Sequence, residues 1–198
     1  MTLQLKITLR HSANPSIWRR IQVLASLNFY QLHLLIQGAF NWQLSHLFRF
    51  GKNQRDYPGI GIAFPNPMFG EEGVIEADKT LIKDYLKTPK QSFYYVYDFG
   101  DNWEHDILVE EILEKKTRSP QSLGGAGFGP PEDCGGIPGY YRMLEALDDP
   151  KHEEHEMYIE WLGMEDDEYL DKDFFSKTEA TKKMRHYLKL YGDKNIFQ

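Results

Sequence analysis

The sequence predicts an α+β fold: an antiparallel or mixed sheet of about five strands, helices packed on one side of it, and a helical C-terminal part over about residues 140–198. Two observations predict this class. Apolar residues alternate with polar ones near the N-terminus and in the middle of the chain, which is typical of half-buried strands. They recur at three- and four-residue spacing in the C-terminal part, which is typical of helices. We expect one domain over residues 1–198.

The clearest N-terminal pattern is the alternation over residues 3–9, in which every second residue is leucine or isoleucine. It predicts a strand with one buried face. Asn14-Pro15 ends this strand, because a residue before proline is pushed out of the helical region. A second strand is predicted over about residues 17–24, so the two segments form a hairpin.

A helix is predicted after this hairpin, with Ser26 as its N-cap. Its buried face is formed by apolar residues at helical spacing, namely Leu32, Leu35, Ile36, Ala39 and Phe40. A short strand is predicted over residues 46–50 and a short helix over residues 80–86. Residues 51–73 between them are rich in glycine, proline and asparagine, which predicts a long connection.

The middle of the chain predicts a second hairpin. Strand patterns cover residues 92–99 and 103–113, and Gly100-Asp101-Asn102 suits the tight turn between them. A loop rich in glycine and proline is predicted over residues 115–139. Three helical stretches follow this loop, over residues 140–147, 152–162 and 177–190.

Composition and charge limit the classes of protein and of partner that fit this chain. The chain has 198 residues and one cysteine, Cys134, which excludes an internal disulfide and predicts a cytoplasmic protein. No apolar run is long enough for a membrane-spanning helix, so no membrane partner is expected. Residues 148–173 carry twelve acidic residues against two lysines, and no long basic run argues for nucleic acid. A protein partner and a nucleic-acid partner both stay open.

The first candidate site lies at the central hairpin. Residues 97–106 place four carboxylates and one imidazole around a single turn, and zinc accepts both kinds of ligand. Strand alternation puts Trp103 and His105 on one face of the strand and Glu104 and Asp106 on the other. A divalent metal is therefore predicted on His105 with Asp98 or Asp101, completed from elsewhere by His46. The alternative is a hairpin turn over a buried tryptophan and histidine, whose acids bond only to local backbone.

The second candidate site is the loop over residues 129–139. Two prolines stiffen it and its glycines permit a sharp turn, so Glu132, Asp133 and Cys134 are predicted in a rigid position suited to a site. The alternative is a helix-entry loop whose acidic residues stabilise the N-terminus of the next helix.

Three groups of residues resemble the plasmid pRiA4b ORF-3-like family over nearly the whole chain. The N-terminal group comprises Trp18-Arg19, Leu32-His33, Ile36, Trp42, His46-Leu47 and Phe50. The central group comprises Tyr97-Asp98-Phe99-Gly100-Asp101, Trp103 and His105. The third group comprises Pro130-Pro131-Glu132-Asp133-Cys134-Gly135-Gly136 and Gly139-Tyr140. The central and third motifs are specific to that family.

The resemblance implies a passenger protein of plasmids or insertion elements, some of which are described as TnpR-like. It implies no assigned reaction, and no serine nucleophile with an arginine cluster supports a resolvase. Many relatives carry cysteines upstream of the Pro-Pro-Glu-Asp motif, where this chain has Ser122 and Gly129. A thiolate metal cluster is therefore not expected, whereas a site built from histidine and carboxylates is unaffected.

Three hypotheses about function follow. The first is a non-catalytic binding or accessory module linked to mobile genetic elements. The second is a metal-assisted hydrolase or nuclease-like enzyme, in which the two motifs converge on the set His46, Asp98, Asp101, His105, Glu132 and Asp133. The third is a purely structural role for both motifs. The second hypothesis requires the central hairpin and the Glu132-Asp133 loop to lie close together.

Overall fold

The structure is a computed structural model that describes residues 1–56, 59–61, 73–115, 117–165 and 169–193. In these ranges eight strands form one sheet: β1 (Thr2–Leu9), β2 (Trp18–Leu24), β3 (Phe48–Gly51), β4 (Ile60–Gly61), β5 (Ile75–Glu76), β6 (Ser92–Tyr97), β7 (Trp103–Leu113) and β8 (Gln121–Ala126). The helices are α1 (Phe29–Phe40), α2 (Gly136–Asp148), α3 (His155–Leu162) and α4 (Lys177–Tyr191), with a 3-10 turn at Ile82–Asp84. The α+β class is confirmed.

The sheet has more strands than the predicted five, and the additional ones are those with the weakest sequence signal. β4 and β5 are two residues long, too short for an alternating pattern to show. β8 lies inside the segment predicted as a loop; its glycines carry no side chains that alternate. Pairing with β2 is what makes this segment a strand, so its conformation depends on tertiary contacts.

Helix α1 begins later than predicted, because Asn28 is the N-cap instead of Ser26. The Asn28 side chain accepts a hydrogen bond from Gln31 N at 2.7 Å, and the Gln31 side chain accepts one from Asn28 N at 3.1 Å. This reciprocal pair is a capping box, which satisfies two backbone donors that a helix start leaves free.

The strand order across the sheet is β5-β4-β3-β6-β7-β1-β2-β8, and every neighbouring pair is antiparallel except β4 with β5. His105 lies opposite Tyr95 on one side and Leu9 on the other. Residues that lie opposite each other on neighbouring strands share one face of the sheet. The side chains of His105, Tyr95 and Leu9 therefore all point toward the core.

Helices α1 and α4 pack closely against each other. A Cβ added at Gly38 of α1 would lie 2.6 Å from the backbone nitrogen of Met184 in α4, so the two backbones touch at this glycine. His33 of α1 stacks on Phe48 of the sheet with ring centroids 3.8 Å apart. No helix in the described ranges is long and apolar enough to cross a membrane.

Candidate functional site

The two candidate motifs meet at one end of the sheet. Gly135 N donates a hydrogen bond to Asp101 Oδ2 at 3.1 Å, which joins the loop before α2 to the β6–β7 turn. A Cβ added at Gly136 would lie 2.5 Å from the backbone oxygen of Asp101, so only glycine permits this approach. The convergence that the hydrolase hypothesis requires is therefore present.

A group of three potential metal ligands lies at this junction. His46 Nε2 lies 3.2 Å from Asp133 Oδ1 and 3.7 Å from Asp98 Oδ2. One ligand atom from each of the three residues falls within 4.8 Å of the other two. His46 Nε2 is shielded from solvent and makes no well-aligned hydrogen bond to any described residue. An imidazole nitrogen without a hydrogen-bond partner thus faces two carboxylate oxygens.

The backbone holds both aspartates in an uncommon conformation. Asp98 has φ 57° and Asp133 has φ 61°, both in the left-handed region that costs most residues about 1 kcal/mol or more. Asp98 Oδ1 accepts a hydrogen bond from Gly100 N at 2.8 Å, and Asp98 N donates to Leu47 O at 2.9 Å. These bonds orient Asp98, so that its second oxygen is the one beside His46.

Glu132 anchors the loop that carries Asp133. Its carboxylate accepts hydrogen bonds from Gln43 N and Ser45 Oγ, both at 2.9 Å, and from the Tyr97 hydroxyl at 2.5 Å. Burial and the hydrogen bond to Glu132 raise the pKa of Tyr97 well above its usual range, so the hydroxyl stays protonated and donates. Glu132 therefore positions the loop instead of offering a free oxygen to a metal.

Tyr97 and Ser45 are site residues that the sequence reasoning missed. The Tyr97 hydroxyl accepts hydrogen bonds from Ser45 N at 3.0 Å and His46 N at 3.3 Å, which fixes the backbone that carries the imidazole. The sequence signal that could have identified Tyr97 is its position directly before Asp98, where β6 ends and the turn begins.

His105 and Trp103 lie in the hydrophobic core. The His105 ring contacts the Trp42, Phe40 and Tyr95 rings at centroid distances of 5.3, 4.9 and 5.3 Å. Burial lowers the pKa of His105 to about 3, so the ring is neutral near pH 7. Its position on the core face follows from strand alternation, whereas Asp98 leaves the sheet at the end of β6.

The structure thus brings together only part of the predicted metal set. His46 belongs to the three-residue group, while His105 and Asp101 do not; Asp98 and Asp133 supply the other two ligand atoms. Asp101 instead accepts the hydrogen bond from Gly135 N. Cys134 is half-buried, and burial with the nearby Asp101 carboxylate raises the pKa of its thiol to about 12.

The geometry of the group suits a divalent metal. Ligand atoms about 2.1 Å from a tetrahedral ion lie roughly 3.4 Å from one another, close to the two distances measured from His46. A histidine nitrogen with two carboxylate oxygens is a ligand set for zinc, manganese or iron. The Asp133 side chain is 71% exposed, so coordination positions on that side would face solvent.

A cleft of about 530 Å³ adjoins the group. Ser45, Glu132, Asp133 and Trp161 are among the residues that line it, so its floor is polar and one wall is aromatic. A molecule in this cleft would lie beside the exposed carboxylate of Asp133.

The sequence model of the plasmid pRiA4b ORF-3-like protein matches residues 1–179. The chain belongs to the plasmid pRiA4b ORF-3-like family. It is 39% identical over 166 residues to the uncharacterized protein y4hQ of Sinorhizobium fredii, an alignment that covers 83% of this chain and 82% of the relative.

The fold of this pRiA4b ORF-3-like protein is also found in a solved structure. The crystal structure of the protein of unknown function MM3350 from Methanosarcina mazei Go1 is similar, with a TM-score of 0.74 and 34% sequence identity. The match covers 90% of this chain and 96% of that one. The first relative is described as uncharacterized and the second as a protein of unknown function, so a function must be argued from the site.

Proposed function

We propose that this protein is a metal-dependent binding module. His46, Asp98 and Asp133 hold a divalent metal at the end of the sheet, and the exposed side of the metal binds an oxygen ligand of a protein or nucleic-acid partner. The observation that carries this proposal is the position of His46 Nε2, shielded from solvent, without a hydrogen bond in the described structure, and within 3.2 and 3.7 Å of two carboxylates.

Electrostatics supports a cation at this position. Asp98 is almost fully buried, and burying a carboxylate is costly unless an opposite charge compensates for it. Its oxygen and that of Asp133 lie within 4.8 Å of each other, so a divalent cation would relieve their repulsion. A protonated His46 would relieve part of the same repulsion, and the experiment below separates the two.

Binding is favoured over catalysis by the state of the neighbouring groups. Glu132, the nearest further carboxylate on the loop, already accepts three hydrogen bonds. Tyr97 stays protonated and donates to Glu132, so it does not act as a base at neutral pH. Neither group is free to activate a nucleophile.

Metal-assisted hydrolysis is the second candidate, and the open side of the site favours it. Catalytic zinc sites keep three protein ligands and leave one position for water, whereas structural sites are closed. A metal held by His46, Asp98 and Asp133 would supply Lewis-acid activation of a water molecule, for which no separate base is needed. The cleft beside Asp133 offers room for a substrate.

The proposal also covers the domain organisation of the protein, its cellular location and its link to mobile genetic elements. The family match over residues 1–179 and the shared sheet support one domain over the whole chain. The single cysteine supports a cytoplasmic location. The plasmid origin in the family's description supports a link to mobile genetic elements.

The proposal is tested by elemental analysis and thermal unfolding of chelator-treated protein reloaded with zinc or manganese. We expect about one equivalent of metal and a rise in melting temperature, since ligand that binds only the folded state stabilises it. His46→Ala and Asp133→Asn should lose both, whereas His186→Ala, which removes an exposed histidine on α4, should lose neither.

Two results would contradict metal binding: no metal-induced shift in the native protein, or an unchanged shift in His46→Ala. In that case His46, Asp98 and Asp133 are neighbours that do not hold a metal. If metal does bind, turnover of phosphodiester or ester substrates that stops on chelation would favour the hydrolase over the binding module.

A further inference from the structure

Arg19 is a buried cation whose hydrogen bonds to described residues all go to backbone oxygens. Its Nε donates to Ala39 O at 2.8 Å and its Nη2 to Gly127 O at 2.9 Å. Its Nη1 donates to Trp18 O at 2.9 Å and Ala126 O at 2.7 Å. A guanidinium has five N–H donors, so one hydrogen on Nη2 remains available.

Two aromatic rings enclose the Arg19 guanidinium. Its central carbon lies 4.8 Å from the centre of the Phe40 ring and 4.6 Å from that of Phe175. Aromatic faces attract a cation but leave its net charge in place. No carboxylate in the described ranges lies within ion-pair distance of Arg19, and burial lowers its pKa to about 10. The charge is therefore buried without an opposite charge, which is unfavourable unless an anion joins it.

A cavity of about 310 Å³ lies beside this guanidinium. Arg19 lines it together with Lys183, and its apolar walls include Phe40, Phe128 and Phe175. The volume is at the lower end of the range for small-molecule sites, which suits a compound with about one ring.

Lys183 adds a second cation to the same cavity. Its ammonium donates to Asn41 O at 3.0 Å and Asn41 Oδ1 at 2.8 Å, which leaves one of its three hydrogens available. Like Arg19, it has no carboxylate within ion-pair distance in the described chain. Glu179 also lines the cavity, but its exposed carboxylate lies 3.6 Å from Lys182.

The start of helix α4 contributes a third source of positive potential. Ser176, the N-cap of α4, lines the cavity, and its hydroxyl accepts a hydrogen bond from Glu179 N at 3.2 Å. The N-terminus of a helix carries a partial positive charge, which stabilises anions within the first turn. Two cationic side chains, the start of α4 and four phenylalanine rings therefore line one small space.

We infer that this cavity is a binding site for a small organic anion, a carboxylate or phosphate attached to a flat apolar group. The anion lies between Arg19 and Lys183, and the apolar group packs on the phenylalanine walls. The site is separate from the His46 group and does not require a metal.

The inference is tested by calorimetric titration of phenylacetate and phenyl phosphate into chelator-treated native protein, with the neutral phenylacetamide as the matched ligand. We expect at least one of the anions to bind about tenfold or more tightly than the amide, since hydrogen bonds to a charged ligand are stronger than those to a neutral one. Comparison of the two anions distinguishes a carboxylate site from a phosphate site.

Lys183→Met and Lys189→Met form the matched pair of variants. Both remove one positive charge from α4, but only Lys183 lines the cavity, whereas Lys189 is exposed in the last turn. We expect Lys183→Met to weaken binding of the anion about tenfold and Lys189→Met to weaken it less than about twofold. The fold of each variant is checked by its unfolding transition, and Arg19 is left intact because it ties four backbone oxygens together.

Absence of binding by both anions at about 10 mM would overturn the inference, because a dissociation constant above that concentration is too high for a specific binding site. Equal losses of binding in Lys183→Met and Lys189→Met would also overturn it, since they would show general attraction to a charged surface. Binding that persists in His46→Ala shows that the anion site stands independently of the metal proposal.

Discussion

The Tyr97 hydroxyl donates a 2.5 Å hydrogen bond to Glu132 Oε1 and so joins the end of β6 to the loop before α2. The same hydroxyl accepts a hydrogen bond from His46 N at 3.3 Å. One side chain thus fixes both the loop that carries Asp133 and the segment that carries His46. This bond is one of the contacts that hold the three proposed metal ligands near one another.

Replacement of Tyr97 by Phe tests the stabilising role of this bond. We expect Tyr97→Phe to lower the free energy of unfolding by about 1.5–3 kcal/mol, because it removes a hydrogen bond to a charged partner. Urea denaturation at neutral pH measures the change. Tyr169→Phe is the control, since the Tyr169 side chain is 73% exposed. Equal stability of the two variants would show that the Tyr97–Glu132 bond contributes nothing.

The backbone conformation of Asp133 is expected to place its carboxylate in the proposed metal site while lowering the free energy of unfolding. Its φ of 61° is strained for an aspartate but not for glycine. We expect chelator-treated Asp133→Gly to be about 1 kcal/mol more stable than Asp133→Ala, because both lose the carboxylate but only glycine relieves the backbone.

Neither Asp133 variant should show the metal-induced rise in melting temperature, since both lack the third ligand. Thermal unfolding with and without zinc measures both effects in one experiment. A less stable Asp133→Gly would argue against strain at this position, and a retained metal shift would remove Asp133 from the proposed ligand set.

Burial of the His105 ring is expected to make the free energy of unfolding depend on pH. Its pKa is lowered from 6.5 to about 3 by burial in the folded state. Above about pH 6.5 it contributes no pH dependence, because folded and unfolded forms are both neutral. As the pH falls toward 3, the unfolded chain binds a proton that the folded chain rejects, so stability decreases by at most about 1.4 kcal/mol per pH unit.

The measurement is the free energy of unfolding in urea at several values between about pH 6 and pH 4. We expect His105→Met to depend less steeply on pH than the native protein, whatever its stability at neutral pH. His33 is also fully buried with a lowered pKa, so part of the slope should remain. His186→Gln serves as the control on α4, and a native slope in His105→Met would contradict the assignment.

The elements that have strong local patterns could be predicted from the sequence. The alternation over residues 3–9 is β1, the central hairpin is β6 and β7, and the last helical stretch is α4, within a few residues at each boundary. The predictions for these segments are confirmed because burial of one face of a strand or helix imposes a regular spacing on its apolar residues. The family motifs also came from the sequence, since each is a run of adjacent residues.

The composition of the site could not be predicted from local sequence, because it depends on tertiary contacts. Asp98 and Asp133 become neighbours because the strand order brings the end of β6 beside the loop before α2, a relationship between distant parts of the chain. Local sequence favoured His105 as a ligand, but its pairing with Tyr95 turns the ring into the core. Local periodicity reports which face of a strand is buried, whereas the pairing of strands decides which side chains meet.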